Sequence, residues 1–307
     1  MIAGSWMAVA WVIATAAPPI VKGLDHVPVA VTDLDGAAAR FSRLGFVIKP
    51  GRPHADGIRN RHVKFPNGGG IELITAADPG DDLARDYVDW LKGGPGPAFW
   101  SLYSPDLAGL TTVLADRALE PVDHGDLVNF PQRVLPHRLF FADRLRSPTD
   151  GPRYWSHPNT AYRLAGVWIA GGAPELGLLP ALGLTPSRHR RCAPFEPHVI
   201  TWVIPGEGPG EGPGEGPGEG PGEGPGEGPG EGDEVLAAPG VHRSVERAII
   251  GMTVLVEHLS AARKVLRDNG VLFTVPGGCG GRSVWIAPEP STNMWLELRE
   301  RRRRSGS

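Results

Sequence analysis

The chain has 307 residues, of which 41% are hydrophobic and 21% are charged. It is long enough for two ordinary domains and apolar enough to bury a core, which excludes a disordered polyelectrolyte. The net charge is −3 and no basic stripe with interleaved aromatic residues occurs, so a nucleic-acid partner is not indicated. The two cysteines, Cys192 and Cys279, exclude a disulfide scaffold and are not in a metal-binding spacing.

The first 20 residues are apolar, and Lys22 is the first charged residue. A basic region before the apolar segment is missing, and Pro18 and Pro19 interrupt it before it reaches the ~20 residues of a membrane span. We therefore expect residues 1–20 to be a dispensable leader of a cytoplasmic protein, with no stable membrane insertion. The alternative is export through this apolar N-terminus, because Ala14-Thr15-Ala16 resembles a cleavage site.

Residues 23–76 have the pattern of a strand, a helix and three further strands. The helix is expected to begin after Thr32 or Asp33 and to end at Gly45, with an apolar face on one side. The strands are expected at residues 24–31, 46–48, 62–65 and 70–74.

The same order of elements recurs along the chain, with copies that begin near residues 98, 164 and 249. The spacing from Leu34 to Gly45 is repeated from Leu259 to Gly270, which supports a shared module. The later strands are expected at residues 98–103, 138–142, 152–156, 164–170, 198–204, 234–237, 249–256, 271–275, 283–287 and 294–298, and the later helices near residues 107–114, 176–182 and 259–266.

Glycine and proline are in excess, with 43 and 32 residues, and the excess has one source. Residues 205–232 repeat Pro-Gly-Glu-Gly seven times, a composition that builds neither a helix nor a strand ladder. This flexible acidic tract falls between two expected strands of the third copy, where a long loop costs little closure entropy. We therefore expect an enlarged hairpin loop rather than a linker between domains.

The repeated module predicts an α+β fold of four tandem βαβββ modules with mixed, curved sheets. The modules are expected to pair into two domains. The expected boundaries are the leader at 1–20, the first domain at 21–157, the second domain at 158–300 with the tract inside it, and a basic tail at 301–307.

With His26 in its opening strand and Glu72 in its closing strand, the first module resembles the vicinal-oxygen-chelate superfamily, which includes glyoxalase I, extradiol dioxygenases and fosfomycin-resistance proteins. The chain resembles most the bacterial glyoxalase-like domain group. Three features carry this resemblance: the segment from His54 to Asn60, the tripeptide His157-Pro158-Asn159 and the length of four modules.

The resemblance implies that two modules enclose a cleft in which a divalent metal binds adjacent oxygens of a small-molecule substrate. It implies His26 and Glu72 as metal ligands, with Glu72 also serving as a catalytic base. Zn, Fe, Mn and Ni all suit such ligands. The implied reaction is that of a lyase, an isomerase or a dioxygenase.

The second copy departs from this pattern, because Phe99 occupies the position of His26 and the position of Glu72 falls near Trp155. A catalytic metal needs a third ligand. His62, which is counted in the expected ligand set, His157 and a partner subunit are the open alternatives. The residues expected to line the cleft for substrate are His54, Asn60, Trp100, Trp155 and His157.

The second pair of modules has Glu234 and Glu297 at the carboxylate positions and no histidine. We expect both to be solvated strand residues of a degenerate site, whose domain serves as a scaffold or as the surface of a homodimer. The alternative function for the whole protein is a metal-free protein that binds or sequesters a small molecule on the same fold.

Overall fold

A computed structural model of the chain describes residues 20–52, 54, 56–131, 138–144, 147–170, 178–182, 184, 187–188, 200–203, 247–276, 282–289 and 292–301. Predictions for residues 1–19, the repeat tract, the strand at 234–237, Glu234, both cysteines and the tail after residue 301 fall outside these ranges. Among the helices inside them, none has the length and hydrophobicity needed to cross a bilayer.

The described residues form short strands arranged in three sheets, with four α-helices. The strands are β1 (Gly23–Leu24), β2 (His26–Ala30), β3 (Lys49–Pro50), β4 (Ile58–Lys64), β5 (Gly70–Ala76), β6 (Gly96–Pro97), β7 (Trp100–Tyr103), β8 (Val122–Asp123), β9 (Leu127–Asn129), β10 (Leu139–Ala142), β11 (Ala161–Ala170), β12 (Ser187–Arg188), β13 (Ile200–Val203), β14 (Ile249–Val256), β15 (Ser283–Ile286) and β16 (Trp295–Glu300). The helices are α1 (Leu34–Arg43), α2 (Asp82–Leu91), α3 (Leu107–Ala115) and α4 (Leu259–Asp268).

The first strand of the chain is shared by two sheets. β1 pairs antiparallel with β7, whereas β2 pairs parallel with β5 and places His26 opposite Gly70. The change occurs at Asp25, whose amide donates to the carbonyl of Ser101 (2.8 Å) and whose carbonyl accepts from the amide of Gly70 (2.9 Å). His26 therefore lies where the two sheets diverge.

The second module makes the reciprocal change. β6 pairs with β2 in the first sheet, whose order is β3-β4-β5-β2-β6, and β7 pairs with β1 in the second sheet, whose order is β1-β7-β10-β9-β8. In both modules an aspartate caps the helix that follows, since Asp33 accepts from the amide of Gly36 and Asp106 from that of Gly109, each at 2.9 Å. The two modules are thus built alike and cross where their opening strands meet.

The third sheet has the order β12-β13-β11-β14-β16-β15. Its last part repeats the module, because β14 leads through α4 to a parallel partner, β16, on which β15 packs antiparallel. The predicted α+β class with βαβββ modules and mixed sheets is confirmed. In the third copy β13 pairs directly with β11, and the expected closing strand lies outside the described residues.

Several predicted elements differ from the structure. The second strand begins at Lys49 rather than at residue 46. The strand expected at 152–156 is a 3-10 turn, Pro152–Tyr154, because a proline without an amide hydrogen stands at its first position. Residues 271–275 contribute only the single bridge from Thr274 to Trp285. The described part of the third predicted helix is a 3-10 turn, Leu179–Leu182.

Helix α2 was not expected from the sequence. Asp81 caps it by accepting from the amide of Ala84 at 2.7 Å. Its buried residues, Ala84, Tyr87 and Trp90, follow helical spacing, and this is the signal that could have predicted it. They pack in a small apolar cluster that is separate from the main core and that also contains Ala30, Ile58, Ile74, Ala98 and Phe99.

The expected boundary near residue 157 is a packed junction. Asn159 is fully buried, and its side chain donates to the carbonyl of Leu44 (2.9 Å) and accepts from the amide of Ala161 (3.0 Å). Gly45 has a φ of +86°, and a Cβ there would lie 2.9 Å from the Cβ of Asn159. The main core contains buried residues from both predicted domains, so the halves are packed as one body.

We expect Asn159→Ala to lower the free energy of unfolding by about 3 kcal/mol, because it leaves two buried backbone groups without partners. Urea denaturation of the two proteins measures the change. Asn269→Ala is the matched control, since Asn269 is exposed and donates a similar bond to the carbonyl of Arg43 (2.8 Å). Equal effects of the two substitutions would contradict this account of the junction.

Candidate functional site

A connected set of polar side chains lies on one face of the first sheet, at the divergence of the two sheets. His26 on β2 directs its Nε2 atom to Oε2 of Glu72 on β5, at 3.4 Å. Its other ring nitrogen, Nδ1, lies 2.5 Å from Oδ2 of Asp25. Asn60 on β4 donates from Nδ2 to Oε1 of Glu72 at 2.7 Å. Each of the two central groups is therefore held by a second polar residue.

The network favours the charged forms of both central residues. Burial alone would lower the pKa of His26, but the carboxylates of Asp25 and Glu72 outweigh it and raise the pKa from 6.5 to about 9. Burial alone would raise the pKa of Glu72, but bonds from His26 and Asn60 and the charge of His26 lower it to about 2. At neutral pH the pair is an imidazolium facing a carboxylate.

His62 and His54 adjoin this pair. His62 is the direct ladder partner of Glu72, so its side chain lies on the same face. Burial is the main cause that lowers the pKa of His62 to about 4, so its imidazole is neutral. His54 brings Nε2 to 3.5 Å from Nδ2 of Asn60.

Asn60 lies within β4, which starts at Ile58, four residues before the strand expected at 62–65. The backbone at Gly51 approaches Asn60 closely, which explains why the Asn60 side chain is buried. A Cβ on Gly51 would lie 1.8 Å from Oδ1 of Asn60, so only glycine leaves room for the amide that holds Glu72.

The second module contributes an apolar wall. Asp106, which caps α3, corresponds to Asp33, which caps α1, and this alignment makes Phe99 the counterpart of His26, as expected. The same alignment makes Ser101 the counterpart of Pro28. Ser101 pairs with Phe140 in its ladder, and Pro28 pairs with Glu72 in its own. Phe140, not a residue near Trp155, is thus the counterpart of Glu72. Its ring lies edge-on to His26, with centroids 5.3 Å apart.

Three residues that were expected to contact substrate have other surroundings. Trp100 is buried in the main core. Trp155 follows the 3-10 turn and is half-buried. His157 uses both ring nitrogens on the backbone, since Nδ1 accepts from the amide of Val47 and Nε2 donates to the carbonyl of Lys64, each at 2.9 Å. These bonds leave His157 no free nitrogen for a metal or a ligand.

The residues do not fit a three-ligand metal centre as they stand. His26 and Glu72 provide two donors, whereas Phe99 and Phe140 occupy the matching positions of the second module. Within the described ranges, no three side chains of His, Cys, Asp or Glu are grouped so that they could hold a metal ion. The divalent metal and His62 as its third ligand stay predictions.

The last module has the same carboxylate in a different setting. Glu297 is the strand-pairing partner of Thr253 and Trp285. Glu72 has the same relation to Pro28 and His62 in the first module. Contrary to expectation Glu297 is not solvated but fully buried, and it accepts from Thr253 Oγ1 (2.7 Å), Ser283 Oγ (2.5 Å) and Arg299 Nε (2.9 Å).

The counterpart of His26 in the last module is Gly251, where a Cβ would lie 2.8 Å from the Cβ of Trp295. The ring of Trp285 lies 5.0 Å from that of Trp168 and 6.3 Å from that of Trp295. Indole rings thus fill the space that the imidazoles occupy in the first module, and Glu297 is part of the core.

Comparisons with known proteins agree with this architecture. Residues 24–175 match the family model described as glyoxalase-like domain. A catechol 2,3-dioxygenase superposes with a TM-score of 0.55 at 14% identity, covering 94% of this chain and 91% of its own. The 2,3-dioxygenase LapB from Pseudomonas sp. KL28 has a TM-score of 0.52 at 15% identity, covering 93% and 94%.

A mutant of 4-hydroxymandelate synthase from Streptomyces coelicolor also superposes, with a TM-score of 0.52 at 11% identity over 94% of each chain. Identities this low establish the fold alone. No curated protein matches the sequence. Residues 24–175 are thus similar to the glyoxalase-like domain family, and the chain shares the fold of these dioxygenases.

The shifted pKa values of His26 and Glu72 predict that the stability from this ion pair is lost at both high and low pH. The raised pKa of His26 contributes stability that is complete below pH 6.5 and is lost as pH rises through about 9. The lowered pKa of Glu72 contributes stability that is complete above pH 4.5 and is lost as pH falls towards about 2. The stability advantage of the parent over His26→Gln should therefore be greatest between pH 4.5 and 6.5.

Urea midpoints of the parent and His26→Gln, measured from pH 4.5 to pH 9, give the advantage. His124→Gln is the control, because His124 is exposed on the hairpin between β8 and β9. An advantage that does not change between pH 6.5 and pH 9 would show that His26 is not held charged by its neighbours.

Proposed function

We propose that the first two modules form a small-molecule binding site in which protein groups, without a resident metal, bind two adjacent oxygens of the ligand. The observation that carries this proposal is the network of Asp25, His26, Glu72 and Asn60 facing Phe140. It provides a charged donor, a charged acceptor and an apolar wall at one place on the face of the first sheet.

The chemistry of the pair suits a ligand that both donates and accepts. The contact from Nε2 of His26 to Glu72 is long, at 3.4 Å, so this N–H can also donate to one ligand oxygen. The carboxylate of Glu72 accepts from a hydroxyl on the adjacent carbon. The two groups are 3.4 Å apart, so one small ligand can contact both. Asp25 and Asn60 keep each group oriented, so little conformational freedom is lost on binding.

Binding is favoured over catalysis by the state of Glu72. A general base works best when its pKa lies near the working pH. Hydrogen bonds and the charge of His26 hold the pKa of Glu72 at about 2, which makes the carboxylate a weak base and a stable hydrogen-bond acceptor.

Catechol is a suitable probe, because it joins two adjacent neutral hydroxyls to an aromatic ring that can lie against Phe140. We expect isothermal titration calorimetry to detect binding of catechol and weaker binding of resorcinol, whose hydroxyls are not adjacent. His26→Gln and Glu72→Gln should each raise the Kd for catechol by about tenfold, the cost of one charge-assisted hydrogen bond.

His124→Gln, an exposed substitution, should leave the Kd for catechol unchanged. Equal binding of catechol and resorcinol, or equal binding by the parent and both site variants, would overturn the proposal. A loss of affinity in the His124 variant would also count against it.

A metal-dependent enzyme is the second candidate, since Asp25 holds the far nitrogen of His26 as carboxylates hold metal-bound histidines elsewhere. Elemental analysis of the purified protein, before and after incubation with Zn, Fe(II), Mn or Ni, decides between the candidates. We expect less metal than protein and no change in His26→Ala or Glu72→Ala. One equivalent of metal that is lost in both variants would establish the enzyme candidate instead.

A further inference from the structure

Helix α2 lies over the sheet face that carries the proposed site. Its residues Tyr87 and Trp90 pack with Ile74, which lies two residues beyond Glu72 on the same face of β5. The ring of Tyr87 lies 5.2 Å from that of Phe99. Burial raises the pKa of Tyr87, and the charge of Glu72 adds to this effect. The position of α2 therefore shapes the apolar side of the site.

The carboxyl end of α2 has little positive charge of its own. Its last turn has no basic residue, and the ammonium of the C-cap residue Lys92 pairs with Asp89. The carbonyl of Trp90 accepts from the amide of Gly93 (3.1 Å) and carries the partial negative charge of a helix end. Asp82, Asp86 and Asp89 make the helix acidic along its length. A further cation at this end of the helix is therefore favourable.

Arg247, two residues before β14, provides that cation from the other half of the chain. Its guanidinium donates to the carbonyl of Trp90 through Nη2 and to that of Gly94 through Nη1 (3.1 Å). It also lies over the ring of Trp90, 4.1 Å from the centroid. Arg138 lies 4.8 Å from the same ring, so two guanidinium groups hold Trp90.

We propose that Arg247 is a positioning residue for the ligand site, which holds α2 in place over His26 and Glu72 and so couples the second half of the chain to the site of the first. The proposal rests on the small-molecule site proposed above. It assigns to the second half, whose own carboxylate is buried among tryptophans, a role in shaping the site of the first.

The experiment compares catechol binding and hydrogen–deuterium exchange in the parent and in Arg247→Ala, well below the unfolding temperature of both. We expect faster exchange of the α2 amides and a Kd for catechol that rises by about tenfold. Arg247→Lys should recover part of the affinity, because a lysine keeps the charge but not the planar fork. A residue needed only for stability would lower the unfolding temperature and leave the Kd of the folded protein unchanged.

Gly93→Ala tests the same contact without changing Arg247. A Cβ at this position would lie 2.6 Å from Nη2 of Arg247 and would displace the guanidinium, so catechol affinity should fall here too. Arg85→Ala is the control, since Arg85 pairs with Asp82 on the exposed side of α2 and should have no effect on affinity.

Unchanged exchange in α2, or faster exchange with an unchanged Kd, would overturn the role of Arg247. If the parent binds no catechol, the proposed function fails by itself. The role of Arg247 is then decided by the amides of β2 and β5 beneath the helix, whose exchange must rise together with that of α2 in Arg247→Ala if Arg247 holds α2 on this face.

Discussion

The change of sheet at Asp25 is the constraint on which the rest of the first two modules depends. A strand that passes from one sheet into another must exchange its hydrogen-bond partners at one residue, so that no backbone group is left without a partner. At Asp25 the amide bonds to Ser101 in one sheet and the carbonyl bonds to Gly70 in the other. The sheets must diverge at that residue. The next side chain, His26, is therefore held at the opening between them, and Asp25 lies beside it to fix the orientation of its ring.

Glu72 and Glu297 show how the surroundings of a residue decide its role. Both stand at the same register of the closing strand of a module. Glu72 faces His26 and His62 at a partly open site, whereas Glu297 faces Thr253 and Trp285 and is sealed by neighbours that satisfy its oxygens. A buried carboxylate is tolerated only with such partners, so the same residue type serves recognition in one module and the core in the other.

The helix α2 links these two halves. It covers the face of the first sheet, its end is held by a guanidinium from the strand region that opens the last module, and its own last turn contains no basic residue. The polar junction at Asn159 and the continuous core also join the halves. The site of the first module is thus shaped by residues far apart in the sequence.

The sequence by itself determined the module, its helix caps and breaks, and the positions of His26, Glu72 and Phe99, because period, capping and glycine stops are local properties of the chain. It did not reveal α2, the place of Asn60 within β4, or the structural bonds of His157. Only the tertiary structure decided that Phe140 is the counterpart of Glu72, that Glu297 is buried, and that Arg247 reaches Trp90. These outcomes depend on ladder register and on contacts across more than a hundred residues, which no local pattern encodes.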